Sequence, residues 1–227
     1  MSTFIDLSGP LFNGMWSYDV LPGLRGKLPE FRLEAVTKIA DAGAEILHYD
    51  MSSLSGTYLE TGAHMIEGAP LLSDLPCSAF VLPAVICHAP RKRERQLIRR
   101  AELEATCPPV CAGDALLIDC GWGSQWQSPA FVSDGPSFHP DCLPWLARQP
   151  IALLACDVPC MQAPWAAAGS PEDGSGMLLA LFKKGILLLA PIVNLDTVKA
   201  SRGELIALPL NAARASGSPC RAILRLD

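Results

Sequence analysis

The stretch Met177–Val193, MLLALFKKGILLLAPIV, is the longest apolar run in the chain and narrows its possible folds most. A bilayer-spanning helix needs about 20 mostly apolar residues without a charged break. Lys183, Lys184, Gly185 and Pro191 interrupt this one. Two lysines followed by glycine form a helix stop. Glycine accepts the left-handed cap, and the lysines complement the negative end of the helix dipole. The run therefore predicts a buried helix ending at Gly185, then a buried strand. A chain of 227 residues can hide both, because folding at that size buries roughly 70–75% of the unfolded surface.

Other apolar runs are short and strand-like. Phe4 opens a first strand, followed by a loop with Met15, Trp16 and Tyr18. Phe31–Ile39 and Ala44–Asp50 read as strands around a turn at Asp41–Gly43, and Phe80–His88 as a Val/Ile-rich strand. Ala115–Cys120, Ile151–Cys156, Glu204–Leu208 and Cys220–Leu226 read as further strands. Straight-chain residues predict a helix over Arg91–Ala105, and Leu143–Arg148 reads as a short one. Buried strands with intervening helices indicate an α/β fold, here one domain over residues 1–227.

Composition excludes several classes. Half the residues are hydrophobic, which a disordered chain would not carry. The net charge of -5 argues against a nucleic-acid partner, and the basic Arg91–Arg100 cluster reads as a solvated face with Arg–Glu pairs. The nine cysteines include no CxxC pair, and Met1–Leu7 does not resemble a secretory leader. Reduced, mostly buried thiols in a cytoplasmic protein are the expectation, with no membrane partner.

Chemistry concentrates in Leu54–Gly68, LSGTYLETGAHMIEG, which holds Thr57, Tyr58, Glu60, His64 and Glu67. Glu60 and His64 are four apart and would share a face on a helix; in a glycine-rich loop they could still converge. A carboxylate beside an imidazole orients the ring and raises its basicity. The same segment could be a surface loop of unrelated polar groups. A metal site would need three or four ligands, and only Glu60, His64, Glu67 and the upstream His48 and Asp50 are at hand, without an HxH or HxxxH pair. Trp16 and Tyr18 either stack on a planar ligand or cap the core.

Several segments together resemble the cyclase family that includes bacterial kynurenine formamidase. They are FIDLSGPLFNGMWSY, GTYLETGAH, GDALLIDCGW, LACDVPC, NLD, IALPL and SPCRAI, in the family's order and almost end to end. The resemblance implies a swivelling β/β/α domain, a small β-barrel-like mixed sheet flanked by helices, usually as a homodimer or homotetramer. It also implies hydrolysis of an amide, formamide or lactam by water activated at a metal centre, commonly binuclear zinc or manganese.

The departures cut against that chemistry. The family's metal-ligand positions fall on Leu54, Tyr58, Glu60, Leu178 and Ala190, so one carboxylate survives; the acid/base histidine survives as His64. One Glu and one His do not hold a divalent ion against water. The expectation is an enzyme working on a small organic molecule by acid/base chemistry: ring closure, ring opening, elimination, or amide or lactone hydrolysis. No metal ligand is assigned, and a recruited Zn or Mn is the disfavoured alternative. His64, Glu60 and Tyr58 are the expected catalytic set, with Tyr58 as hydroxyl donor. Trp16 and Tyr18 are the expected substrate contacts. The rival readings are a non-catalytic binding or assembly protein on the same scaffold, and a metal-dependent amidohydrolase with relocated ligands.

Overall fold

In the computed structural model, which describes residues 2–226, the strands are β1 Thr3–Asp6, β2 Arg32–Thr37, β3 Ile46–Asp50, β4 Tyr58–Glu60, β5 Val81–His88, β6 Leu97–Ile98, β7 Ala115–Asp119, β8 Ser137–Phe138, β9 Leu153–Cys156, β10 Leu187–Ala190, β11 Arg202–Pro209 and β12 Gly217–Leu226. The helices are short: α1 Ile39–Ala42, α2 Arg100–Thr106, α3 Leu143–Leu146 and α4 Met177–Phe182. The main sheet runs β1-β12-β11-β5-β7-β9-β10-β4, and β4 pairs back onto β12. Seven strands, β12 through β4, thus close a barrel, with β1 added at the edge. β5, β7, β9 and β10 run parallel; β11, β12, β4 and β1 join antiparallel.

Strand alternation sorts the core into two layers. Every barrel strand contributes to one buried cluster: Leu59, Ala84 and Ile86, Ala115 and Leu117, Leu153 and Ala155, Leu187 and Leu189, Leu205 and Ala207, Ala222 and Leu224. A cluster fed by all seven strands is the barrel interior, and its many alanines suit a narrow tube. The opposite faces of β4, β5, β7, β9 and β10 carry the second, larger cluster, roofed by loops, α3 and α4. Tyr58 belongs to this outer layer. Glu60, two residues on along β4, lies on the same face.

The stop at Gly185 is realised: α4 ends at Phe182, Gly185 sits at φ +75°, and β10 follows. The helix expected over Arg91–Ala105 is only half present. Arg95 takes a positive φ of 55°, and Leu97–Ile98 form a parallel pair with Ser137–Phe138 before α2 starts at Arg100. Tertiary pairing overrode a local propensity worth only tenths of a kcal/mol per residue. The turn residues at Asp41–Gly43 join β2 and β3 through α1, whose cap Gly43 is left-handed. Val36, Ile39, Ile46 and Tyr49 of this hairpin are more than half exposed. Among the described residues no helix is long and apolar enough to cross a membrane.

Candidate active site

β4 is placed by its neighbours on both sides. Tyr58 stands opposite Ala190 on β10 and Pro219 on β12; Glu60 stands opposite Leu188 and Gly217. Upstream, Gly56 has φ +68°, and a Cβ there would lie 2.5 Å from Leu11 Cδ2, so only glycine lets the two loops meet. The Thr57 hydroxyl donates to the Pro191 carbonyl at 2.7 Å and anchors the strand's start. Downstream, Thr61 caps a 3-10 turn over Gly62–His64, accepting from Ala63 N at 3.2 Å, while Thr61 N donates to Ser216 O at 2.8 Å. That turn brings His64 back over Glu60.

The Glu60–His64 contact is the centre of the site. His64 Nδ1 lies 3.3 Å from Glu60 Oε1. Glu60 is 1% exposed, whereas the His64 side chain is 36% exposed, so the pair bridges the interior and solvent. Glu60 Oε1 is buried without a properly aligned hydrogen bond. Burial without a cation pushes its carboxyl up to about 8, and desolvation lowers His64 below the usual imidazole range. At neutral pH the pair is therefore a carboxylic acid against a neutral imidazole. The acid can give a proton and the imidazole can take one, without an ion pair to break first.

Tyr58 and Tyr18 form the wall beside it. Their rings meet edge to face, 5.8 Å apart. The Tyr58 hydroxyl donates to the Tyr18 hydroxyl at 3.3 Å, and the Tyr18 hydroxyl donates to the Pro159 carbonyl at 2.7 Å. Burial raises both phenols well above their ordinary value, so both stay protonated. Trp16 is 6% exposed: its Nε1 donates to Trp126 O at 2.8 Å and its ring stacks on Phe131 at 4.8 Å. In this structure the Trp16 and Tyr18 rings sit in the outer-layer core, and Tyr18 is the one that touches the site through Tyr58. His48 lies on the exposed hairpin opposite Glu34, and Glu67 is exposed; the structure brings neither to Glu60 through its hydrogen bonds or ion pairs.

The donor set does not fit a catalytic metal ion. Leu54, Tyr58, Leu178 and Ala190 belong to or pack against one apolar cluster. Among the described residues no group of three or more His, Cys, Asp or Glu could hold an ion.

Sequence reasoning missed three supports. Gly217 is the first: a Cβ there would lie 3.1 Å from Glu60 Cγ, so glycine makes room for the carboxyl. Pro159, which holds Tyr18, is the second. Neither has a local signal, because each partner is far off in sequence. The third, Asp157, lies in the family-like LACDVPC segment. Its carboxylate accepts from the backbone N–H of Cys120, Trp122 and Gly123 at 3.0, 2.7 and 3.2 Å, fixing the turn after β7. Burial, then the Asp119 charge, raises it to about 7.

Comparison with known proteins now decides the family, since the Cyclase family model matches residues 5–163. The chain belongs to the cyclase family. A kynurenine formamidase of Bacillus thuringiensis (strain Al Hakam) is 28% identical over 226 residues, covering 99% of this chain and 98% of its own. One from Bordetella petrii is 26% identical over 189 residues, 82% of each chain. Isatin hydrolase A from Ralstonia solanacearum superposes with a TM-score of 0.85 at 21% identity, over 100% of this chain and 92% of its own. Isatin hydrolase A from Labrenzia aggregata, bound to benzyl benzoate, reaches 0.84 at 22%, over 99% and 94%. At such identity the structural matches speak for the fold, and the fold agrees with the expected barrel flanked by helices.

Proposed function

We propose that this cyclase-family member is a hydrolase or lyase-type enzyme that works on a small organic molecule by proton transfer at Glu60 and His64, without a tightly bound metal. The observation that carries this reading is the buried, unaligned carboxyl of Glu60 held 3.3 Å from a half-open imidazole. Leaving a buried polar group unsatisfied costs about 1–3 kcal/mol. Pairs kept at such a cost mark sites where protons move. His64 faces solvent and takes a proton from an incoming group or water; Glu60 returns one to the leaving atom. Tyr58 and Tyr18 line the same wall, and Trp16 stiffens it from behind. The relatives' names point to amide and lactam substrates, so isatin and a formanilide are the first compounds to try.

The test combines turnover and metal analysis. His64→Ala is expected to abolish turnover while the circular dichroism spectrum stays native; retained turnover removes His64 from the mechanism. Stoichiometric Zn or Mn in active protein would sink the metal-free part and favour relocated ligands. The rival reading, a binding or assembly protein on this scaffold, is favoured by the burial of Tyr58 and Tyr18. Tight binding of a small molecule with no product under any metal condition would establish it.

The partner set of this proposal is a small molecule and a second copy, as homodimer or homotetramer, in the cytoplasm, where its nine cysteines stay reduced. The exposed apolar hairpin supports self-association, because a two-stranded hairpin alone is marginal in water. Light scattering that returns the monomer mass at micromolar concentration would rule the oligomer out.

A further inference from the structure

We infer that Tyr18 is a positioning residue that commits the proton of Tyr58 away from the site, so that Tyr58 meets a ligand as a hydrogen-bond acceptor. The argument is one of polarity. A phenol has a single proton to give and a carbonyl can only accept. The Tyr18 proton is held by the Pro159 carbonyl at 2.7 Å. Toward Tyr58, Tyr18 therefore has only lone pairs, and the 3.3 Å contact between the hydroxyls must be a donation from Tyr58. Both hydroxyls are buried, so water does not compete for the second proton. The remaining Tyr58 lone pair is what the site sees. A ligand atom seated there has to carry an N–H or O–H; an ether, ester oxygen or carbonyl at that point would face a lone pair and lose its hydrogen bond.

The polarity of the chain stands on the hydroxyl geometry alone, whereas the ligand preference rests on the proposed function of the site. The protein's three tyrosines make the first part directly measurable. With carbon-13 at tyrosine Cζ in a mixture of light and heavy water, a slowly exchanging hydroxyl gives a split signal. Tyr18 and Tyr58 are expected to be split and exposed Tyr49 averaged. The two single variants then respond unequally. Tyr58→Phe leaves Tyr18 split, because its bond to Pro159 survives. Tyr18→Phe collapses the Tyr58 splitting, because its acceptor is gone. The opposite asymmetry, or equal effects, would overturn the polarity. For the ligand, tryptophan quenching by isatin and by N-methylisatin compares an N–H with its methylated twin. Wild type is expected to prefer isatin about tenfold, one hydrogen bond's worth. Tyr18→Phe, with Tm within the folded range, should erase that preference, while Tyr49→Phe keeps it. Binding of isatin with no preference in wild type overturns the acceptor role. Binding of neither compound, with the hydroxyl asymmetry present, counts against the proposed function and leaves the polarity standing.

Discussion

Two histidine–carboxylate pairs sit on this barrel, and they are built differently. His88 ends β5 and Asp119 ends β7, the strand beside it; Nδ1 and Oδ2 are 3.0 Å apart and hydrogen-bonded. The other oxygen of Asp119 accepts from Gly121 N at 3.0 Å, so both carboxylate oxygens are used. Glu60 and His64 lie 3.3 Å apart, and Oε1 of Glu60 has no aligned donor. Asp119 is tied into the backbone of its own turn, while Glu60 is walled by Leu188, Gly217 and Tyr58 and is held from ionising. A satisfied pair braces a strand end. An unsatisfied one keeps a proton available.

The sharpest way to break this comparison is to remove each histidine. His64→Ala should lower kcat/KM by roughly 10²–10⁴, the range of one general acid–base group, with little change in melting temperature. His88→Ala should do the reverse: turnover near wild type, and a stability loss of about 1–3 kcal/mol in urea unfolding for the broken partner of Asp119. If both variants lose activity equally without unfolding, the distinction drawn between the pairs is wrong.

A pH series sharpens it next. Glu60 titrates near 8 in the folded chain and near its ordinary value of 4.5 when unfolded. Its contribution to stability is therefore fully present below pH 4.5 and is lost as pH rises through about 8. Glu60→Gln removes that dependence. The variant's melting temperature should gain on wild type steadily from pH 5 to 9. Asp157 shifts in the same direction, toward about 7, but is common to both proteins and cancels in the difference. A gap that stays constant with pH would show that Glu60 is ionised at neutrality.

The smallest effect concerns the room around the acid. Gly217→Ala brings a Cβ to 3.1 Å from Glu60 Cγ, and overpacking by one methyl costs about 1 kcal/mol or more. A modest fall in melting temperature with a larger fall in kcat than in binding is expected, since the carboxyl moves relative to His64. No change in kcat would mean that the position of Glu60 is not critical.

Much of the barrel was legible before any coordinates. Phe80–His88, Ala115–Cys120 and Ile151–Cys156 are too apolar to lie anywhere but inside, and each became a parallel strand of the barrel. Leu97 and Ile98 were misread as helix because their partners, Ser137 and Phe138, lie some forty residues away. The candidate site was half legible. The spacing of Glu60 and His64 allowed contact on a helix or in a loop; a strand followed by a capped 3-10 turn realises it.

Sequence alone settled that the chain is an α/β protein of the cyclase type and that four family ligand positions had become Leu54, Tyr58, Leu178 and Ala190, since identity at a position is a local fact. Only the tertiary structure decided that Glu60 is walled off, that Gly217 clears space for it, and that the Tyr58 proton points at Tyr18. Those are properties of closure: β12, at the end of the chain, returns to pair with β4, and desolvation and hydrogen-bond direction exist only once the barrel has shut.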